Sequence, residues 1–322
     1  MKQELRHRLF ALGPFVGLAL VIVFFAVASG APERYLSGHN LRVVLAQTVI
    51  VAVGAIGMTL VIVAGGIDLS VGSVIALTGV ICAIGLRDGG PPLLAVLVAV
   101  VAGALVGLVN ALAITRLRVV PFIATLGMLG IARGAAKWLA RQSTVDAPAS
   151  WVNELAVTVP PASWMVFAPG VWMTLVLAVI MAFVLRRTVF GRRVFALGSN
   201  EAAARACGIA VDRLKLAIYS VAGLFFGLAG VMQMSRLRQG DPTVAIGTEL
   251  DVIAAVVIGG GSLSGGEGSI LGSMVGALVM AFLRNGSQQM GWPTYVQEIL
   301  IGVIIVAAVA VDRWRHAQGG DE

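Results

Sequence analysis

Charge is scarce in this chain. Asp, Glu, Lys and Arg make up 12% of its 322 residues, where a soluble domain carries about a quarter. That deficit excludes an ordinary water-soluble globule. Cysteine is almost missing too: Cys82 lies in an apolar run and Cys207 in a basic segment, so no disulfide framework is expected. The three histidines, His7, His39 and His316, fall in terminal or loop segments. No histidine-based site within the apolar sequence can be assembled from them. No GxxxxGK[ST] loop occurs, so the chain cannot itself cradle ATP phosphates in the usual way. "GSLSG" at 261–265 has the spelling of a nucleophile elbow, but neither a histidine nor a preceding strand accompanies it. Ser264 therefore reads as part of a small-residue turn. These absences leave no catalytic residue, no metal cluster and no cofactor site, and the expectation is that the chain is not an enzyme.

Apolar sequence fills the space. Residues 9–32, 43–67, 89–115, 155–185 and 216–235 contain no charged side chain. Each is at least as long as the roughly 20 residues that a helix needs to cross a bilayer. The fold class follows: all-α, a polytopic transmembrane helical bundle forming one domain over 1–322. Ten spans are predicted, at about 9–30, 42–64, 69–87, 92–115, 119–140, 169–187, 214–235, 250–261, 268–285 and 296–312. The N-terminus resembles a signal peptide, but its apolar core of about 20 residues exceeds the roughly 7–15 of a cleaved one, so it reads as the first span.

The net charge of +7 is a matter of position, and nucleic acid is not implied. With the N-terminus inside, Lys2, Arg6, Arg8, Arg116, Arg118, Arg186, Arg187, Arg192, Arg193, Arg205, Arg213, Lys215, Arg313 and Arg315 lie on the inner side. That is fourteen of the 23 basic residues. The bias predicts both termini, the loop 187–214 and the tail 313–322 in the cytoplasm. Trp151 and Trp164 suit a membrane-surface element in the longest outer segment, 141–168.

Four short stretches carry most of the candidate chemistry. In "VAGGIDLSVGSVIAL" (63–77), Asp68 either caps the third span or faces a polar pathway with Ser70. Gly65 and Gly66, like Gly259–Gly261, mark breaks tolerable at membrane depth only against protein or a water-filled path. In "GTELDVIAAVVIGGG" (247–261), Thr248 and Asp251 have capping-box spacing, while Glu249 or Asp251 could instead serve an outer gate. In "MSRLRQGDPT" (234–243), Arg236 and Arg238 run against the positive-inside bias. Either they dock an acidic partner from outside or they end a solvated helix. Glycines four apart, at 103 and 107, 223 and 227, and 268, 272 and 276, permit close helix approach within one chain or between subunits.

The fourth stretch, "ALGSNEAAARACGIAV" (196–211), spells a water-exposed helix of about seven residues. Asn200 is its N-cap, Glu201 its first residue and Gly208 its left-handed stop. So short a helix needs packing, either against its own bundle or against a cytoplasmic partner.

Together with "VVPFIATLGMLGIARG" (119–134), "GRRVFALGSNEAAARACGI" (191–209) and "ELDVIAAVVIGGGSLSGGEGSILGSMVGAL" (249–278), these stretches resemble the ribose-type sugar permeases of ABC importers. The likeness runs from about residue 40 to 312. It implies the membrane subunit of a monosaccharide importer in the bacterial inner membrane. Implied partners are cytoplasmic ATPase subunits holding ATP and magnesium, a periplasmic or lipid-anchored sugar-binding protein and a second permease subunit, identical or paralogous. Gly198, Asn200, Glu201, Ala202, Ala203, Arg205 and Gly208 would form the ATPase-coupling loop. Gly65, Gly66, Asp68, Ser70, Phe122, Thr125, Glu249 and Asp251 would be candidates for the path or gate, and Arg236 and Arg238 for binding-protein docking. The rival is an ion-coupled carrier or channel for a small polar solute, for which Asp68 alone is well placed.

Overall fold

The structure is a computed structural model describing residues 2–160, 162 and 165–319. Trp164 and the side chains of Lys2, Arg6, Arg8, Arg313 and Arg315 lie outside the described residues. Helices fall on all ten predicted segments. They are α1 (Lys2–Ala28), α3 (Gly38–Val63), α4 (Val71–Arg87), α5 (Pro92–Thr115), α6 (Pro121–Leu139), α7 (Pro169–Arg187), α10 (Val211–Leu237), α11 (Thr248–Ile258), α12 (Ile270–Gln289) and α13 (Thr294–Gly319). Three shorter helices lie between them: α2 (Pro32–Tyr35), α8 (Val189–Ser199) and α9 (Glu201–Ala206). By length and composition, five helices (α3, α5, α7, α10 and α12) can cross a membrane among the described residues. At 11 residues, α11 is only about 16 Å long, half the thickness of the hydrocarbon.

The all-α expectation needs one small correction. β1 (Val145–Asp146) pairs antiparallel with β2 (Gln239–Gly240), Val145 opposite Gly240. Arg238, left-handed at φ 56°, turns the chain out of α10 into β2, and its carbonyl accepts the Ala147 N–H at 3.1 Å. Non-local pairing of two residues leaves no periodicity for a sequence pattern to reveal.

α3 and α10 form the centre. Ile56, Met58, Leu60 and Ile62 of α3 are fully enclosed, and α10 packs against α5, α4 and α3. Apolar residues on outer helices are bare instead, as with Leu105 at 55% and Val179 at 70% exposure. So much exposed apolar surface is disfavoured in water and suits lipid. Trp151 begins a 3-10 turn (Trp151–Glu154) and is 47% exposed, consistent with a membrane-surface element.

The glycine rows are spent on contacts within the chain. A Cβ on Gly107 would meet the Tyr219 carbonyl and Gly223, and one on Gly103 would meet Gly223 and Gly227. Likewise Gly276 faces the Ala255 backbone and Gly272 that of Gly259. Lipid tails are as apolar as leucine, so such backbone-level contact is what favours helix over lipid. Gly107→Leu forces overpacking at the α5–α10 crossing and should cost about 3 kcal/mol. Thermal unfolding in detergent is expected to show a lower midpoint, with Gly127→Leu, where nothing lies within 4 Å, as the neutral control.

Candidate functional site

The predicted short helix is present, and its boundaries have local causes. Asn200 is extended (φ −161°, ψ 105°), and its Oδ1 accepts the Ala203 N–H at 2.9 Å. At the other end Gly208 takes φ +82°. The Gly208 N–H donates to the Arg205 carbonyl and the Ile209 N–H to the Ala204 carbonyl, both at 3.1 Å. Those two bonds satisfy the carbonyls that the helix end would otherwise strand. Six residues are helical, one fewer than expected, because Cys207 serves as the C-cap.

Charge fastens α9 to α10. Lys215 donates to Glu201 Oε2 at 2.8 Å, and Arg205 bridges Glu201 Oε1 and Asp212 at 3.2 Å each. Ala204 is the buried anchor at 4% exposure, whereas Ala202 and Ala203 face outward. One face therefore rests on the bundle and the other is open. Glu201 itself is largely committed to Lys215 and Arg205.

Beneath α9 lies an element that the sequence pattern did not reveal. The sequence places 189–199 within the cytoplasmic loop 187–214, yet it forms α8, started by Thr188 Oγ1 accepting the Gly191 N–H at 3.3 Å. Gly198, expected in the loop, belongs to the last turn of α8. A Cβ there would collide with the Val63 carbonyl and the Gly266 nitrogen. The Gly266 N–H donates to that Val63 carbonyl at 2.9 Å. A Cβ on Gly265 would stand 2.8 Å from the Gly198 oxygen and from the Gly65 Cα. The two glycine breaks, 65–66 and 259–266, thus converge on the end of α8.

Asp68 does not cap α4. Ser70 holds the N-cap position, without a side-chain cap bond. Asp68 Oδ1 instead accepts the Ser70 N–H at 2.8 Å and the Ser70 hydroxyl at 2.6 Å, closing a local turn. Asn110 of α5 donates to Asp68 Oδ2 at 3.2 Å and to Ser70 Oγ at 3.1 Å. Thr125 of α6 donates to the Ile67 carbonyl at 3.2 Å. The 65–70 loop is therefore clamped by α5 and α6. Asn110 escaped the sequence reading because one amide in an apolar run carries no spacing signal. Phe122 is 46% exposed on the outside of α6.

At the other end of the bundle, α3, α10, α11 and α12 enclose an open cavity of about 240 Å³. Gln47, Gln233, Arg236, Thr248, Asp251 and Arg284 are among its lining residues. On α10, Arg236 lies 25 residues beyond Val211, about 38 Å along the axis from the α9 end. The capping box is not formed. Gly247, at φ +81°, is the N-cap of α11 with no side-chain cap bond, and Asp251 Oδ2 accepts from the Arg284 guanidinium. Glu249 Oε1 accepts the Gly247 N–H at 3.2 Å and does not line the cavity. Arg236 and Arg238, paired in the sequence reading, part company: the first lines the cavity and the second ends α10 at the surface.

The family model for the permease component of branched-chain amino acid transport systems matches residues 40–309. The chain belongs to that family. It is similar to the ribose import permease protein RbsC of Escherichia coli strain K12, 39% identical over 92% of each chain. Bacillus subtilis RbsC is also 39% identical, over 95% of this chain and 94% of its own. The fructose import permease protein FrcC of Rhizobium meliloti is 35% identical over 97% of this chain and 88% of that protein. No solved structure matches. The resemblance to ribose-type permeases is thus borne out, and the chain is a multi-pass membrane permease component, a transport subunit and not an enzyme.

Burial works to raise the Glu201 pKa, but hydrogen bonds and charge from Lys215 and Arg205 outweigh it and hold the carboxyl below its ordinary 4.5. A lowered folded-state value stabilises α9 above the unfolded pKa, and that contribution is lost as pH falls through the folded one. Hydrogen-exchange protection factors at Ala203 and Ala204, each referred to the intrinsic rate at the same pH, are expected to hold at pH 4.5 and to fall only in stronger acid. A fall on acidification already above pH 4.5 would count against these pairs.

Proposed function

We propose that the chain is the permease subunit of an ATP-binding-cassette importer for a monosaccharide or similar small polar solute. It would cross the bacterial inner membrane ten times with both termini cytoplasmic, the glycine loop 259–268 completing the passage that α11 begins. Two cytoplasmic ATPase subunits would hold ATP and magnesium. A second copy or paralogue would complete the permease, and a periplasmic or lipid-anchored sugar-binding protein would deliver solute. Arg238 is the remaining candidate for docking that protein.

The observation that carries this reading is the rigid mounting of α9. Capped at both ends and ion-paired to α10, it offers Ala202 and Ala203 outward. Small side chains permit close docking, and a helix so short gains from a partner. α9 follows α8 directly, and Gly198 of α8 abuts Val63 and Gly266. Movement of the ATPases would push α9, and α8 would pass the push to both glycine loops. Those loops lead into α4 and α12, and α12 carries Arg284 into the cavity at the far end. Closure at one end would thereby reshape the solute chamber at the other. Asp68, on which an ion-coupled carrier would rely, is occupied by Ser70 and Asn110 and is 1% exposed.

Glu201→Arg should lower ATP-dependent uptake at least about tenfold, since it reverses a charge between Lys215 and Arg205 and loosens the mount. Ala203→Trp should do the same by blocking the docking face while leaving those pairs intact. Both variants should still insert in the membrane. Unchanged uptake together with unchanged ATPase co-purification in both would sink the coupling assignment.

A further inference from the structure

The cavity between α3, α10, α11 and α12 is unbalanced in charge. Arg236 and Arg284 both line it. Asp251 is the one acid in the lining, and its Oδ2 is taken by Arg284. Two cations against one acid leave a net charge of +1 in the chamber (2 − 1). Arg236 makes no ion pair among the described residues. Arg133 of α6 is engaged elsewhere, donating to the Pro242 and Val244 carbonyls, and Glu249 Oε1 accepts the Gly247 N–H. Neither lines the cavity.

Two polar atoms of the same cluster are buried without a hydrogen-bond partner: Arg284 Nε, a donor, and Asp251 Oδ1, an acceptor. Asp251 as a whole is 3% exposed. Unsatisfied groups of this kind cost stability and call for an explanation. Arg284, whose side chain is 36% exposed, still offers guanidinium N–H groups to a hydroxyl in the cavity, with Asp251 behind it. A guanidinium without an acid, at hand in the same chamber, is the complement of a carboxylate. Arg236 is exposed, so an incoming carboxylate can reach it, whereas a neutral sugar would leave the net positive charge of the chamber unmet. Gln47, Gln233 and Thr248 supply amide and hydroxyl groups for further hydroxyls. The volume of about 240 Å³ suits one small molecule, lying below the range of drug-sized pockets.

We propose that this chamber takes an anionic polyhydroxylated solute, a sugar acid, with Arg236 binding its carboxylate and the Asp251–Arg284 pair binding an adjacent hydroxyl. The inference rests on the permease reading and narrows its substrate class.

The test begins with the purified full-length permease in detergent, where no binding protein can impose its own selectivity. Sodium gluconate, ribonate and galacturonate are titrated at millimolar concentration against glucose, ribose and galactose, with sodium chloride equalising ionic strength. At least one acid should raise the unfolding temperature while its parent sugar does not. Arg236→Gln should weaken that acid's apparent affinity at least about tenfold, and Arg236→Lys should recover part of the loss. Equal shifts from acid and parent sugar, no shift from any acid, or an acid shift indifferent to Arg236→Gln each overturn the proposal. Uptake by the whole importer in proteoliposomes separates this from the broader reading. ATP-driven entry of a neutral sugar but of no acid keeps the permease and defeats the sugar-acid assignment. A chain that binds no ATPase defeats the permease reading itself.

Discussion

In a bilayer the hydrophobic effect gives helices little reason to prefer one another over lipid, so backbone must reach backbone for packing to win. This bundle does so through glycine at two kinds of place. Along the α5–α10 crossing, Gly103 and Gly107 lie against Gly223 and Gly227, and the helices meet without side chains between them. At the α9 end, Gly198, Gly65, Gly265 and Gly266 bring three chain segments to one point, with the Val63 carbonyl accepting the Gly266 N–H. The first contact joins two helices along their length, and the second joins three segments at a point.

Two acids sit deep in this apolar protein, and they are accommodated in different ways. Burying a carboxylate is costly unless hydrogen bonds or an opposite charge replace water. Asp68 is served by neutral donors from Ser70 and Asn110, which immobilise the 65–70 loop. Asp251 is served by a cation from another helix, and only in part, since Oδ1 remains free. The first arrangement closes a structural network. The second leaves one carboxylate oxygen unpaired beside a cavity that both partners line.

Local signals read from the sequence were reliable where nothing distant competed. Asn200 and Gly208 bound α9 as capping rules require, because both bonds form within a few residues on a surface loop. The same rules misjudged Thr248 and Asp251. A left-handed Gly247 opens that helix, and Arg284, 33 residues away, claims the carboxylate that the cap would have used. Asp68 has a similar history, since Ser70 and Asn110 engage it before the α4 backbone can. α8 lay unseen inside the loop 187–214 that the charge bias marked out, and its Gly198 is demanded by contact with Val63 and Gly266.

Sequence alone determined that this chain is a helical membrane protein, where ten of its helices run, and that a short capped helix stands apart from them. These are properties of composition, periodicity and bonds between near neighbours, and tertiary contacts do not alter them. Which residues share a site was decided only by the tertiary structure. Gln47, Gln233, Arg236, Asp251 and Arg284 come from four helices, and Gly65, Gly198 and Gly265 from three separate segments. No spacing in one chain encodes such meetings. They follow from how close the glycine rows let the helices lie, and that closeness depends on both partners at once.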